Sequence, residues 1–296
     1  MPTVVEVTVQ SSGGDYTTIQ GAIDGFSSEV TNTNLVTGDE LYRISVEAGT
    51  YAETLGVDET AGTDATRYIE IVPQSGDWHD GTAGSGVIVE PTSGSGATLT
   101  ILDSFTRVRG IEIRADAGSG RVCVELGDSS HTAEGAIVEQ CLIYGNGNSS
   151  FTTDGVRTGN WDAGTSTNPL VIRSNAIWNC DRAGVFFQNA SAGSAYDQYA
   201  DVIQNTCWDN NRSMAYRARN ASSTLTVKIK GNIGGGTLSS TDWVNIGLSS
   251  GTVTTTGSGE NYSEDADFPG GSATAYTITT STSPGAGDWP GCRGKL

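Results

Sequence analysis

A chain of 296 residues with 40 Gly, 7 Pro and 36% hydrophobic residues lacks the apolar side chains for a wide compact core and reads instead as many short strands joined by tight turns. Its formal net charge of −18, from 34 acidic against 16 basic residues, repels nucleic-acid phosphates and anionic headgroups, so no nucleic-acid partner is expected. No stretch reaches the ~20 apolar residues of a membrane span, so membrane insertion is not expected either.

The N-terminus, Met1 to Val7, has neither a basic n-region nor a long apolar h-region. A strand is expected from Val4 to Val9. Thr17-Thr18-Ile19-Gln20 then matches a capping box, and Ile19, Ala22, Ile23 and Phe26 follow at i, i+3, i+4 and i+7, which predicts a short amphipathic helix. Such a helix covers the open end of a solenoid, so residues 1–35 are expected to form an N-terminal cap.

Residues 36–250 carry an internal repeat. Val138-Glu139-Gln140-Cys141-Leu142-Ile143-Tyr144, Ile172-Arg173-Ser174-Asn175-Ala176-Ile177-Trp178, Ile203-Gln204-Asn205-Thr206-Cys207-Trp208 and Ile229-Lys230-Gly231-Asn232-Ile233 superpose at a spacing of about 30 residues, and Val108-Arg109-Gly110-Ile111 precedes them. Between copies lie second apolar strands, at Val122–Leu126, Gly155–Arg157, Gly184–Phe187, Met214–Tyr216 and Trp243–Ile246. Two or three strands per period and no helix exclude helical repeats, and the period is too short for a four-stranded propeller blade. The fold class that fits is all-β: a right-handed parallel β-helix with a short N-terminal capping helix. Asn175, Asn205 and Asn232 recur at equivalent turn positions, where their amides either stack into a ladder or serve as ordinary turn residues. Beyond Thr252 the periodicity weakens, and residues 251–296, with Asp288-Trp289-Pro290-Gly291-Cys292, are expected to form a C-terminal cap or an assembly contact.

Five cysteines, Cys123, Cys141, Cys180, Cys207 and Cys292, form no CxxC pair and sit mostly in apolar runs, so buried free thiols are expected rather than disulfides or zinc. No metal ligand set and no cofactor are implied, a structural or bridging cation such as calcium staying open. His79 and His131 have no neighbour in sequence that suggests a triad and are expected at the surface. Lysine is confined to Lys228, Lys230 and Lys295. An acidic, lysine-poor surface fits a halophilic setting, where salt screens self-repulsion, and equally an ordinary acidic secreted-type protein.

Gly14-Asp15-Tyr16-Thr17-Thr18-Ile19-Gln20-Gly21-Ala22-Ile23-Asp24, followed by Val46-Glu47-Ala48-Gly49-Thr50-Tyr51-Ala52-Glu53, resembles the opening of pectin-methylesterase-like and pectate-lyase-like β-helix proteins. The resemblance covers about the first quarter of the chain. It implies the fold and not an activity, because enzymes, adhesins and viral appendages share this opening. The esterase motifs Gln-Asp-Thr-Leu, Asp-Phe-Ile-Phe-Gly and Leu-Gly-Arg-Pro-Trp are absent, and Gln204-Asn205-Thr206-Cys207 carries Asn where the catalytic Asp would stand. The resemblance also implies a homotrimer.

Glycosidases need two carboxylates about 5 to 10 Å apart. Asp154, Asp162, Asp181 and Asp209, in expected turns or insertions of the central coils, are the candidate catalytic residues, against the backbone preference of turns for Asp. The insertion Thr158 to Thr165 places Trp161 beside Asp162, and insertions on one face of a solenoid build binding surfaces. Arg157, Trp161 and Arg182 are the candidate ligand-binding residues, Trp161 serving either a sugar or a subunit contact. Three functions follow: a non-enzymatic virion surface protein (capsid decoration, turret or fibre) touching other virion proteins and a host surface glycan; a carbohydrate-active enzyme or tailspike depolymerase acting on an acidic polysaccharide; or a secreted glycan-binding adhesin. Each places the chain outside the cell or on a virion surface without a classical signal peptide.

Overall fold

A computed structural model describes residues 1–60, 62–92, 96–115, 122–145, 153–159, 161–189, 196–218, 222–235, 244–248, 252–256 and 262–263. Three parallel sheets of nine, eight and seven strands run along one axis. Each coil visits them in the order first, second, third, as in Ile137–Glu139, Leu142–Tyr144 and Asp154–Thr158. The chain is a right-handed parallel β-helix, the fold class its repeats predict. Segment 252–256 joins the first sheet and Tyr262–Ser263 the second, while the expected C-terminal cap around Asp288 to Cys292 lies outside the described residues.

Register stacks like on like. In the first sheet Val7, Ile44, Ile71, Val108, Val138, Ile172, Val202 and Ile229 form one column across eight strands, every member buried. β-branched side chains hold one rotamer on a pleated surface, so a repeat of Val and Ile packs with little further loss of entropy. In the second sheet Ile113, Ile143, Ile177 and Cys207 stack inward, and in the third Leu99, Val124, Val156, Val185 and Met214 do the same. Cys123, Cys141, Cys180 and Cys207 are buried free thiols that act as small apolar residues. Cys292 lies outside the described residues.

The corner between the first and second sheets repeats one bend. Gly110, Gln140, Ser174, Gln204 and Gly231 all have φ between 55° and 65°. The left-handed bend costs a non-glycine residue ~1 kcal/mol, and the next position offsets that cost. There the Oδ1 of Asn205 accepts from the backbone N–H of Asn175 at 3.1 Å and from its Nδ2 at 3.0 Å. Asn232 does the same for Asn205, at 2.8 and 3.0 Å. Each Nδ2 also donates to a backbone carbonyl of the coil before: Asn175 to Val138, Asn205 to Ile172, Asn232 to Val202. The three amides are a ladder, which decides between the two sequence readings.

The N-terminal cap differs in detail from its expected form. The helix spans Ile19–Asp24, with two further short turns at Phe26–Glu29 and Leu35–Gly38. Thr18, not Thr17, is the N-cap, its hydroxyl accepting from Gly21 N–H, and Gln20 turns away to donate to Asp24 and Gly56. The acceptor role expected of the Gln20 side chain falls to Glu53, whose carboxylate accepts from the N–H groups of Ile19 and Gln20 at 2.8 and 2.9 Å. The two halves of the family-like opening are thus joined by this bond. A reciprocal box cannot be seen from a four-residue window when a residue 34 positions away fills the role.

The outer face of the first sheet carries a row of arginine–glutamate ion pairs. Arg43 and Arg109 both bond Glu70 at 2.8 Å, Arg109 also reaches Glu139 at 3.1 Å, and Arg173 closes the row on Glu139. Signs alternate from strand to strand, the arrangement that stabilises neighbouring strands and avoids like-charge pairs.

Candidate functional site

The corner where the second sheet hands over to the third gathers most of the sequence candidates. In three successive coils the last residue of the second-sheet strand lies outside the inward column and is aromatic: Tyr144, Trp178 and Trp208, in register. The Tyr144 and Trp178 rings lie 5.4 Å apart and tilted by 43°. Trp208 ends the column with 37% of its surface exposed, and the next coil sets Gly235, which has no side chain, against it. Polar left-handed residues follow two of the rings: Asn179 at φ 59°, whose Nδ2 donates to the Tyr144 hydroxyl at 3.1 Å, and Asp209 at φ 52°. Rings presenting a face beside amide and carboxylate oxygens are chemically suited to the apolar face and hydroxyl rim of a sugar.

Across the corner, on the outer face of the third sheet, stand Asp154, Arg157 and Arg182. Asp154 is not in a turn: it is the first residue of the strand Asp154–Thr158 and is fully buried. Arg182 clamps it with two nitrogens, Nε at 2.8 Å and Nη2 on the other oxygen, while Arg157 stands 4.0 Å off and binds Glu125 at 2.8 Å. Burial is the largest influence on the Asp154 carboxyl and pushes it up, with Arg182 and then Arg157 pulling it back. Arg182 also lies over the Phe186 ring at 4.0 Å. Asp181 is half-buried, accepts from the Thr153 hydroxyl at 3.3 Å, and is raised above the ordinary carboxylate range by desolvation.

The other candidates sit elsewhere. Asp162 is exposed and accepts from the Asp197 N–H of the next coil at 2.6 Å. Trp161 does not meet Arg157. Its Nε1 donates to the Leu126 carbonyl at 3.0 Å and its ring packs against the core, so its face is spent on the corner between the third and first sheets. Residue types at a spacing cannot reveal this, because Arg157 alternates outward along its strand while the chain turns inward at Gly159. His79, half-buried, bonds the Gln140 carbonyl at 2.7 Å. His131 has partners the sequence did not indicate, Asp128 at 2.9 Å and Asp58 of another coil at 3.6 Å. Among the described residues no group of three or more His, Cys, Asp or Glu side chains gathers to hold a metal ion.

Near His131 lies Asp103, buried, accepting from the N–H groups of Glu59 at 2.7 Å and Thr60 at 3.2 Å. Desolvation outweighs these bonds and lifts its carboxyl to about 6. Folded protein therefore holds this proton where unfolded chain has lost it, and stability falls as pH rises from about 4 to 6. Replacing Asp103 with Asn should leave the Tm unchanged near pH 4 and raise it by about 5 °C above pH 6. Scanning calorimetry of both proteins at the two pH values checks this, and an equal shift at both refutes it.

The chain matches no protein-family model, and a comparison with curated proteins finds no match either. Among solved structures it is similar to the pectin methylesterase of Aspergillus niger in deglycosylated form, at 13% identity over 97% of this chain and 94% of that one, with a TM-score of 0.50. It is also similar to the YbhC protein of Escherichia coli, at 12% identity over 89% of this chain and 72% of that one, with a TM-score of 0.52. At such identities the likeness shows the fold alone, and the fold it shows is the parallel β-helix.

Proposed function

We propose that this β-helix is a non-enzymatic glycan-binding protein that attaches to a polysaccharide laid across the corner between its second and third sheets. The observation that supports it is the aromatic column Tyr144, Trp178, Trp208, one ring per coil with an open face at Trp208. Large aromatic faces left at the surface are unfavourable unless a partner covers them. Attachment is favoured over cleavage because Asp154, across the corner from the column, is held in an arginine clamp and has no exposed surface, so it is not free to serve as one of two facing carboxylates. The similarity to a pectin methylesterase is compatible with a glycan ligand, while the esterase motifs are missing from this sequence.

Trp208→Ala and Trp178→Ala should each weaken binding to the best ligand of a polysaccharide panel by on the order of 10-fold, with no release of reducing ends by the unmodified protein. Isothermal titration and a reducing-sugar assay read both. Unchanged affinity in the variants, or oligosaccharide release, defeats the proposal. Placement on a virion, a homotrimeric state and a halophilic source rest on the sequence reading alone. Mass spectrometry of purified particles and of culture supernatant separates a virion appendage from a free adhesin.

A further inference from the structure

Two successive turns at this corner carry the same pattern, Trp178-Asn179-Cys180-Asp181-Arg182 and Trp208-Asp209-Asn210-Asn211-Arg212. Both turns carry an arginine four residues after the Trp, but the second turn is one residue shorter before its strand, which sets Arg212 opposite Ala183, and the surroundings of the two arginines differ. Arg182 has the Asp154 carboxylate and the Phe186 ring. Register pairs Asp154 with Ala183 and Phe186 with Ala215, so one coil later both partners are replaced by buried alanines. The Nε of Arg212 is buried and has no hydrogen-bond partner. Arg107 and Arg109 also have a buried Nε outside hydrogen-bond geometry, but the Arg109 Nε lies 3.1 Å from the Glu139 carboxylate and the terminal nitrogens of both are engaged, by Tyr68 and Ala65 and by Glu70. The turn that carries Arg212, four residues after Trp208, is tied to the coil before by Asn211 N–H to the Cys180 carbonyl at 2.9 Å and closed on itself by the Ser213 hydroxyl to the Cys207 carbonyl at 3.4 Å.

A buried guanidinium Nε without an acceptor costs free energy until something with oxygen atoms supplies one. The protein's own solution one coil earlier is a carboxylate accepting on two nitrogens, the geometry a guanidinium fork matches best. We propose that Arg212 receives an acidic substituent, carboxylate or sulfate, of a sugar whose ring rests on Trp208, and that this contact selects anionic over neutral glycans. The inference rests on the glycan-binding reading above and adds a ligand class to it. With a net charge of −18 on the chain, long-range attraction does not bring a polyanion in, so the selection is local to this one buried Nε.

Two measurements test it on the full chain. Arginine Nε–Hε resonances of ¹⁵N-labelled protein are followed while sodium acetate or sodium sulfate is added at constant ionic strength, the Arg212 signal being the one lost in Arg212→Gln. The Arg212 signal should shift saturably with one of the two anions, and the Arg182 signal, already bound to Asp154, should not. No response of Arg212 to either anion overturns the proposal. Binding is then compared between hexagalacturonate and its neutral methyl ester, and between a carrageenan tetrasaccharide and neutral agarotetraose, which separates carboxylate from sulfate. The preferred charged form should bind about 10-fold tighter than its neutral counterpart, and Arg212→Gln should abolish that preference while leaving neutral affinity unchanged. A preference that survives Arg212→Gln, or equal binding of charged and neutral forms, overturns it. A saturable anion shift without binding of any oligosaccharide refutes the glycan reading of the surface, and with it the glycan as the source of the anion.

Discussion

Asn205→Ala is expected to destabilise the protein by about 4 kcal/mol, because it strips partners from four buried groups at once. The side chain accepts from the N–H and Nδ2 of Asn175 and donates to the Ile172 carbonyl and to Asn232. All three amides are at most 1% exposed, so water cannot replace what is lost. A loss of that size is a large part of the 5–15 kcal/mol that separates most folded domains from their unfolded chains. The neighbouring substitution Gln204→Gly should act in the opposite sense. Gln204 holds φ 56°, and its backbone N–H bonds to the Lys230 carbonyl either way, so relief of the left-handed bend outweighs the flexibility glycine adds. Urea denaturation of the two variants reads opposite displacements of the midpoint. Because a solenoid coil touches chiefly its neighbours, hydrogen exchange in Asn205→Ala should accelerate in the strands Leu170–Arg173, Asp197–Ile203 and Thr224–Lys230 before it does in Thr3–Val9 or Glu40–Val46. A midpoint within error of the parent would show that the ladder is decoration.

The ladder also marks how far residue patterns reach. The coil is legible because a parallel solenoid repeats its inward residues in register, but aligning Ile203 with Val138, Ile172 and Ile229 runs one residue out of register; with Val202 in its place the alignment lines up Asn175, Asn205 and Asn232. It lines up Tyr144, Trp178 and Trp208 as well, yet a period-two strand does not say which face an end residue takes when the strand is three residues long, and an aromatic there reads as core. Asp154 was misplaced for a related reason. Thr153-Asp154-Gly155 has the composition of a turn, and only the pairing of Asp154 with Val122 and Ala183 shows that it opens a strand. Trp161 and Arg157 were joined by nearness in sequence, whereas the corner between them sends one into the core and the other outward. The contrast between Arg182 and Arg212 depends on what stands one coil earlier, a relation carried by register and not by any local motif.

Asp154→Ala should be nearly as damaging as loss of the ladder, about 3–5 kcal/mol, since it leaves the Arg182 guanidinium in place without its buried partner. Removing both charges tells the two halves of this cost apart. In Asp154→Ala with Arg182→Met the methionine keeps an apolar stem over Phe186, and most of the stability should return, because desolvating a charge pair roughly cancels what the pair gains. If Asp154 instead served as a reacting group, Asp154→Asn would fold normally and abolish a turnover that the unmodified protein displays. If it is a clamp, Asp154→Asn folds less stably because one oxygen of the clamp becomes a donor facing a donor, and affinity at the aromatic column is unchanged wherever the variant is folded. A fully stable Asp154→Ala would remove the structural account of this carboxylate. The same result would also weaken the contrast on which Arg212 depends, because Arg182 satisfied by Asp154 is the internal example of what Arg212 lacks.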